Sequence, residues 1–149
     1  MKPLALVLAL TLPLAAAAQT PPPYKPGLGD LMTMSVQPRH LKLGLAGQEK
    51  NWAYAAYEVH ELEEALEKIE KLVPKWRELD IAQLMAATVK QPIEALEVAI
   101  KAGDAAKFEA AYRQLTDGCN ACHKSGNLPI VIKAPDTSAF PNQDFRVIK

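Results

Sequence analysis

"NWAYAAYEVHELEEALEKIEKLVP", residues 51–74, decides the fold class. Trp52, Ala55, Val59, Leu62, Leu66, Ile69 and Val73 follow one another in steps of three and four, the spacing that lays one apolar stripe along an α-helix. Glu64 with Lys68 and Glu67 with Lys71 stand four apart with the acid first, the order that supports a solvated opposite face. Pro74 ends the segment, having no N–H to continue the ladder. A helix with one apolar stripe needs neighbours to cover it.

Those neighbours lie on both sides. Upstream, "GDLMTMSVQPRHLKLGLAGQEK" (29–50) places Met32, Val36, His40, Leu43 and Gly47 on one face, with a bend expected near Pro38 and a turn around Gly47. The alternative is a single long helix running on from Pro38 through the next segment. Downstream, "LDIAQLMAATVKQPIEALEVAIKAGD" (79–104) carries Ile81, Met85, Val89, Leu96 and Ile100, with Asp80 as N-cap and Gly103 as stop. Pro92 either kinks this helix or opens a fresh one in its first turn. The last helix starts from Asp104 and aligns Phe108, Tyr112, Leu115, Cys119 and Cys122. No alternation of apolar and polar residues suggests strands.

The expected fold is all-α: an antiparallel four-helix bundle over residues 28–126, followed by an extended C-terminal tail, 127–149. Ile130, Ile132, Phe140 and Phe145 would lay that tail over the bundle. Before the bundle, "MKPLALVLALTLPLAAAA" (1–18) reads as a cleavable secretory signal peptide, one basic residue leading an apolar run that ends in alanines. The run is too short for a permanent anchor, which needs roughly 20 residues. Residues 19–27 form a proline-rich leader. Without Lys2 the chain carries 16 basic against 17 acidic residues, a balance that makes no case for nucleic acid or anionic lipid as partner. The expected location is the periplasm, with no membrane span after cleavage.

"TDGCNACHKSG" (116–126) holds both cysteines of the chain. C-x-x-C-H is the haem c attachment pattern. Two thiols about one helical turn apart can form thioethers with the two vinyl groups on one porphyrin edge, while the adjacent histidine turns its imidazole to the iron. A thioredoxin-type dithiol belongs at a strand-to-helix junction, and no strand precedes Cys119. Zinc wants four ligands, and only His40 and His60 remain to complete a set. A disulfide between Cys119 and Cys122 is chemically allowed but leaves His123 without a role. One covalent haem c is therefore the expected cofactor.

The signal peptide, the four helical segments, "KFEAAYRQLTDGCNACH" (107–123) and a first helix with a candidate distal residue together resemble the class II c-type cytochromes, the cytochrome c-prime group. "VQPRHLKLGLAGQEKNWAYAAYEVHELEE" (36–64), with "CNACH" and "FPNQDF" (140–145), looks more closely like a branch of small exported c-type cytochromes. The resemblance implies a haem inside the bundle, Cys119 and Cys122 as thioether anchors and His123 as proximal iron ligand. It also implies that the first helix faces the distal side. There His40 is the first candidate ligand, Met32, which shares its face, the second, and Met34 the third. The chain departs from that group in the 26 residues that follow His123 and in a shorter first connection.

Arg39, Lys42 and Lys50 are candidates to pair with haem propionates. His60 and the run Glu61, Glu63 and Glu64 are expected in solvent, and Trp52, Tyr54 and Tyr57 in the packing of the bundle or haem pocket. No acid and base pair or nucleophile constellation stands out, so no enzyme is expected. The functional expectation is one-electron transfer with periplasmic redox partner proteins. Alternatives are a five-coordinate haem that binds nitric oxide or carbon monoxide, a haem subunit of a larger periplasmic oxidoreductase, and a haem-free helical bundle. Class II cytochromes often pair, so a homodimer is a further expectation.

Overall fold

The computed structural model describes residues 23–136, 140 and 143–147. The signal peptide read over 1–18 lies outside the described residues. The protein is mostly helical: α1 (Leu28–Leu31), a π-helical turn (Met32–Val36), α2 (Gln37–Gln48), α3 (Trp52–Leu72), α4 (Ile81–Thr88), α5 (Lys90–Ala102) and α6 (Ala105–Ser125). No described helix is long and apolar enough to cross a membrane.

Helix ends follow local chemistry. The side chains of Asn51, Asp80 and Asp104 accept the N–H of Tyr54, Gln83 and Lys107 at 3.2, 2.9 and 3.0 Å, capping α3, α4 and α6. Gly103 closes α5 in the left-handed conformation at φ 64°. Lys50, at φ 53°, turns the chain between α2 and α3, so the first two helical segments are separate and do not run on as one. Pro92 sits in the first turn of α5, and a break at Val89 divides the third segment into α4 and α5. A proline ring at 92 collides with the carbonyl four residues back and returns no N–H to it.

The structure adds a feature that the periodicity does not announce. Lys75–Trp76 (β1) and Leu79–Asp80 (β2) pair as a short antiparallel ladder, with Arg77 at φ 53° in the turn. Strands of two residues are too short to show alternation.

The stripe read along residues 51–74 is the buried face of α3: Ala55, Val59, Leu62, Leu66 and Ile69 join Leu43, Leu96, Phe108 and Leu115 in the core. α5 packs on α6, α2 on α3, α3 on α5, and α4 on both α5 and α6. Two glycines on α2 permit a close approach to α6: a Cβ at Gly47 would overlap the Phe108 ring, and one at Gly44 would lie 2.5 Å from the Tyr112 hydroxyl oxygen. Trp52, Phe108, Tyr112 and His40 form a continuous aromatic column beside them.

One carboxylate is enclosed: Glu58 on α3 is 1% exposed. Arg39 meets it at 3.2 Å and reaches Glu61 at 2.8 Å, so Glu61 belongs to an ion-pair network and is not simply solvated. Removing one partner of an enclosed pair leaves an uncompensated charge. Arg39→Met is expected to lower the unfolding free energy by about 2 kcal/mol, read from the urea midpoint. Arg39→Met combined with Glu58→Met should recover most of that loss. An additive or larger loss in the double variant would count against the pairing.

Candidate functional site

The C-terminal turns of α6 carry Cys119, Cys122 and His123 on the wall of one cavity of about 260 Å³. Its lining is almost wholly apolar: Leu66 from α3, Ile81, Met85, Thr88 and Val89 from α4 and the residue after it, Trp76 and Leu79 from the ladder, and Leu128, Ile130 and Ile132 from the tail. Met32, Val36 and His40 contribute from the first helical segment. Helical spacing brings the motif residues there, since positions three and four apart on α6 share the stripe that faces the core.

Cys119 and Cys122 are both free thiols. Burial pushes the Cys119 thiol up to about 11, with Cys122 adding to the effect, and burial raises Cys122 as well. A redox-active dithiol requires the opposite shift, toward thiolate. Among the described residues no three His, Cys, Asp or Glu side chains converge as a metal cage.

His123 has a defined orientation. Its Nδ1 lies 3.2 Å from the Ile130 carbonyl oxygen, a contact that places the proton on Nδ1 and the lone pair on Nε2. The helix end creates this contact. Asn127 adopts the left-handed conformation at φ 53°, and the N–H of Leu128 returns to the His123 carbonyl at 2.9 Å. The reversal sends residues 128–132 back across the motif. Asn120 then holds the returning chain, accepting the Ile132 N–H at 2.7 Å and donating to the Ile132 carbonyl at 2.9 Å.

The tail continues over the body. Gln48 donates to the Pro135 carbonyl at 2.7 Å, Tyr54 to Gln143 at 3.0 Å, and Asn51 to the carbonyls of Phe145 and Arg146 at 3.2 and 3.0 Å. Phe145 is buried and stacked on Tyr54, and Phe140 packs against the core. Ile132 is partly buried, whereas Ile130 is 51% exposed and gives its carbonyl to His123. The ladder covers the same end of α6: Arg77 stacks on Trp76 at 4.1 Å and donates to the Gly126 carbonyl at 3.1 Å.

On the first helical segment the bend precedes Pro38. The π turn over Met32–Val36 is closed by the Gln37 N–H on the Met32 carbonyl, which widens the backbone just where the proline ring would meet the Met34 carbonyl. In a regular helix eight residues leave Met32 and His40 about 80° apart. The extra residue taken up by the π turn reduces that offset to about 20°. Both side chains line the cavity as a result. Met34 does not line it and is 64% exposed.

His40 is 5% exposed and tied at both ring nitrogens: Nε2 lies 3.0 Å from the Thr116 hydroxyl and Nδ1 3.1 Å from the Tyr112 hydroxyl. The Thr116 hydroxyl also lies 2.9 Å from the Tyr112 carbonyl and the Tyr112 hydroxyl 2.8 Å from the His40 carbonyl. A neutral ring donates to one of the two hydroxyls and accepts from the other, whose single proton is then shared between the ring nitrogen and its carbonyl. Burial pushes His40 down to about 4, which keeps it neutral at physiological pH, and pushes Tyr112 up. An iron ligand at His40 would have to give up one of these hydrogen bonds. Met32 has no such engagement to break.

The remaining candidates lie away from the cavity. Arg39 is paired with Glu58 and Glu61, Lys42 sits 4.9 Å over the Phe140 ring, and Lys50 is exposed. His60 is exposed and lies 3.4 Å from Glu64. Trp52 and Tyr54 pack on the core and Tyr57 is exposed. Sequence reasoning missed Asn120, Tyr112 and Thr116 as partners of the site. Only the C-x-x-C-H spacing around Asn120 carried a signal, and it says nothing of the tail. No protein-family model, curated protein or solved structure matches this chain.

Proposed function

We propose that this chain is an exported c-type cytochrome of the class II kind, an antiparallel four-helix bundle that holds one covalent haem c and passes single electrons between periplasmic redox partners. The observation that carries the reading is the gathering of Cys119, Cys122 and His123 on one apolar cavity, with His123 held through Nδ1 so that Nε2 can ligate. The order of contacts supports the bundle: His40, Gly44 and Gly47 along α2 meet Thr116, Tyr112 and Phe108 in reverse order along α6.

The residues present fit haem c. Cys119 and Cys122 would hold it as thioethers, and His123 Nε2 would be the proximal ligand. When bound, haem c supplies a one-electron ferric and ferrous couple. The chain's own part is to exclude water with the apolar wall, to fix the imidazole through the Ile130 carbonyl, and to offer Met32 or His40 from the first helical segment. The signal peptide read over residues 1–18 supports a periplasmic location, where covalent attachment retains the cofactor.

A pyridine haemochrome spectrum of the purified, exported protein tests the reading. One covalent haem per chain is expected, and its absence would overturn the proposal. The engagement of both His40 nitrogens favours Met32 as the sixth ligand. Met32→Ala is therefore expected to convert a low-spin spectrum to high-spin, while His40→Ala leaves the spin state unchanged. The reverse pattern would assign the ligand to His40.

The same engagement supports a second reading. A wild-type protein already high-spin, whose spectrum shifts with carbon monoxide, would be a five-coordinate gas-binding haem protein.

A further inference from the structure

We infer that Asn120, the second residue of the C-x-x-C-H motif, is a positioning residue that holds the Ile130 carbonyl of the tail against His123 and thereby sets the donor strength of that imidazole. The inference rests on the haem reading above.

The geometry is specific to the returning chain. Asn120 grips both backbone groups of Ile132, through Oδ1 at 2.7 Å and Nδ2 at 2.9 Å, as a neighbouring strand would. In an extended chain the carbonyls of residues two apart point the same way. Fixing the Ile132 carbonyl toward α6 therefore fixes the Ile130 carbonyl toward α6 as well. There it meets His123 Nδ1 at 3.2 Å. Asn120 and His123 are three apart on the helix and so face the same side.

A slip of one residue would present Val131 instead, and its carbonyl would point away. Side-chain packing opposes that slip only through Leu128, Ile130 and Ile132 at the cavity wall, with Ile130 51% and Val131 73% exposed. The bonds from Asn120 fix the backbone directly.

A carbonyl that accepts the Nδ1 proton raises the basicity of the ligating nitrogen, which favours ferric over ferrous iron. Loosening it shifts the equilibrium toward ferrous.

The experiment uses full-length exported holoprotein. Asn120→Ala is expected to keep one covalent haem per chain and an unchanged far-ultraviolet circular dichroism spectrum. Its ferric to ferrous equilibrium should move about tenfold toward ferrous, about 59 mV in midpoint potential. The exchangeable His123 Nδ1 proton should exchange faster with solvent in Asn120→Ala than in the wild type. Phe145→Ala, which loosens the far end of the tail without touching Asn120, should leave both readouts at wild-type values.

A shift of less than about twofold in Asn120→Ala, with proton exchange at the wild-type rate, overturns the inference while the haem reading stands. Equal shifts in both variants overturn it too, because tail docking in general would then be responsible. Absence of covalent haem from the wild type overturns the parent reading and this one together.

Discussion

On the haem c reading proposed above, replacing Cys119 and Cys122 together by alanine is expected to abolish covalent haem and, with it, most of the stability of the fold. Both thiols line the cavity, and nothing else among the described residues could form a covalent bond to a vinyl group there. The remaining His123 could offer only a reversible ligand bond. Acid and organic solvent should then extract all the haem from the double variant and none from the wild type. Either single variant should keep one thioether and resist extraction.

The effect on folding follows from the size of the cavity. At ~24 cal/mol per Å³, an enclosed void of about 260 Å³ would cost about 6 kcal/mol, an upper bound here because the cavity is partly open to solvent. That is comparable to the whole stability of a typical domain, roughly 5–15 kcal/mol. The haem-free double variant should therefore unfold at far lower urea than the holoprotein. Equal midpoints would mean that the cavity collapses without an occupant.

The parts of this structure that were legible in the sequence are those governed by local rules. The apolar stripe of residues 51–74 names the core face of α3 because periodicity and burial have one cause. Asp80 and Asp104 announce helix starts because a short side-chain acceptor satisfies an otherwise unpaired N–H. Cys119, Cys122 and His123 share the cavity because their spacing is helical. The rest depended on contacts between distant segments. Nothing near Asn120 indicates that it meets Ile132, since the pairing depends on a left-handed Asn127. Nothing near His40 indicates that Thr116 and Tyr112 engage its two nitrogens from α6. The π turn is intermediate: Pro38 signals a disturbance, but whether the backbone kinks or takes up an extra residue depends on packing around Met32.

Gly118 shows how such a distant contact reaches the site, and Gly118→Ala should be among the most damaging small substitutions in the chain. A Cβ there would overlap the Thr88 carbonyl oxygen and would press on Val89 at 3.3 Å. The Thr88 carbonyl cannot retreat into a helix, because Pro92, four residues on, has no N–H to receive it. The added methyl must push α4 away from α6, at a cost of about 3 kcal/mol. Ile81, Met85, Thr88 and Val89 line the cavity, and Gly118 adjoins Cys119, so the haem spectrum should change along with the urea midpoint. Pro92→Ala would restore an N–H that can draw the Thr88 carbonyl back. The double variant should accordingly be less destabilised than the sum of the singles, by about 1 kcal/mol or more. Gly29→Ala supplies the contrast in stability: a Cβ there meets nothing within 4 Å, and the urea midpoint should stay within about 0.5 kcal/mol of the wild type. Strict additivity of the 92 and 118 substitutions would show that Pro92 does not hold the Thr88 carbonyl against Gly118.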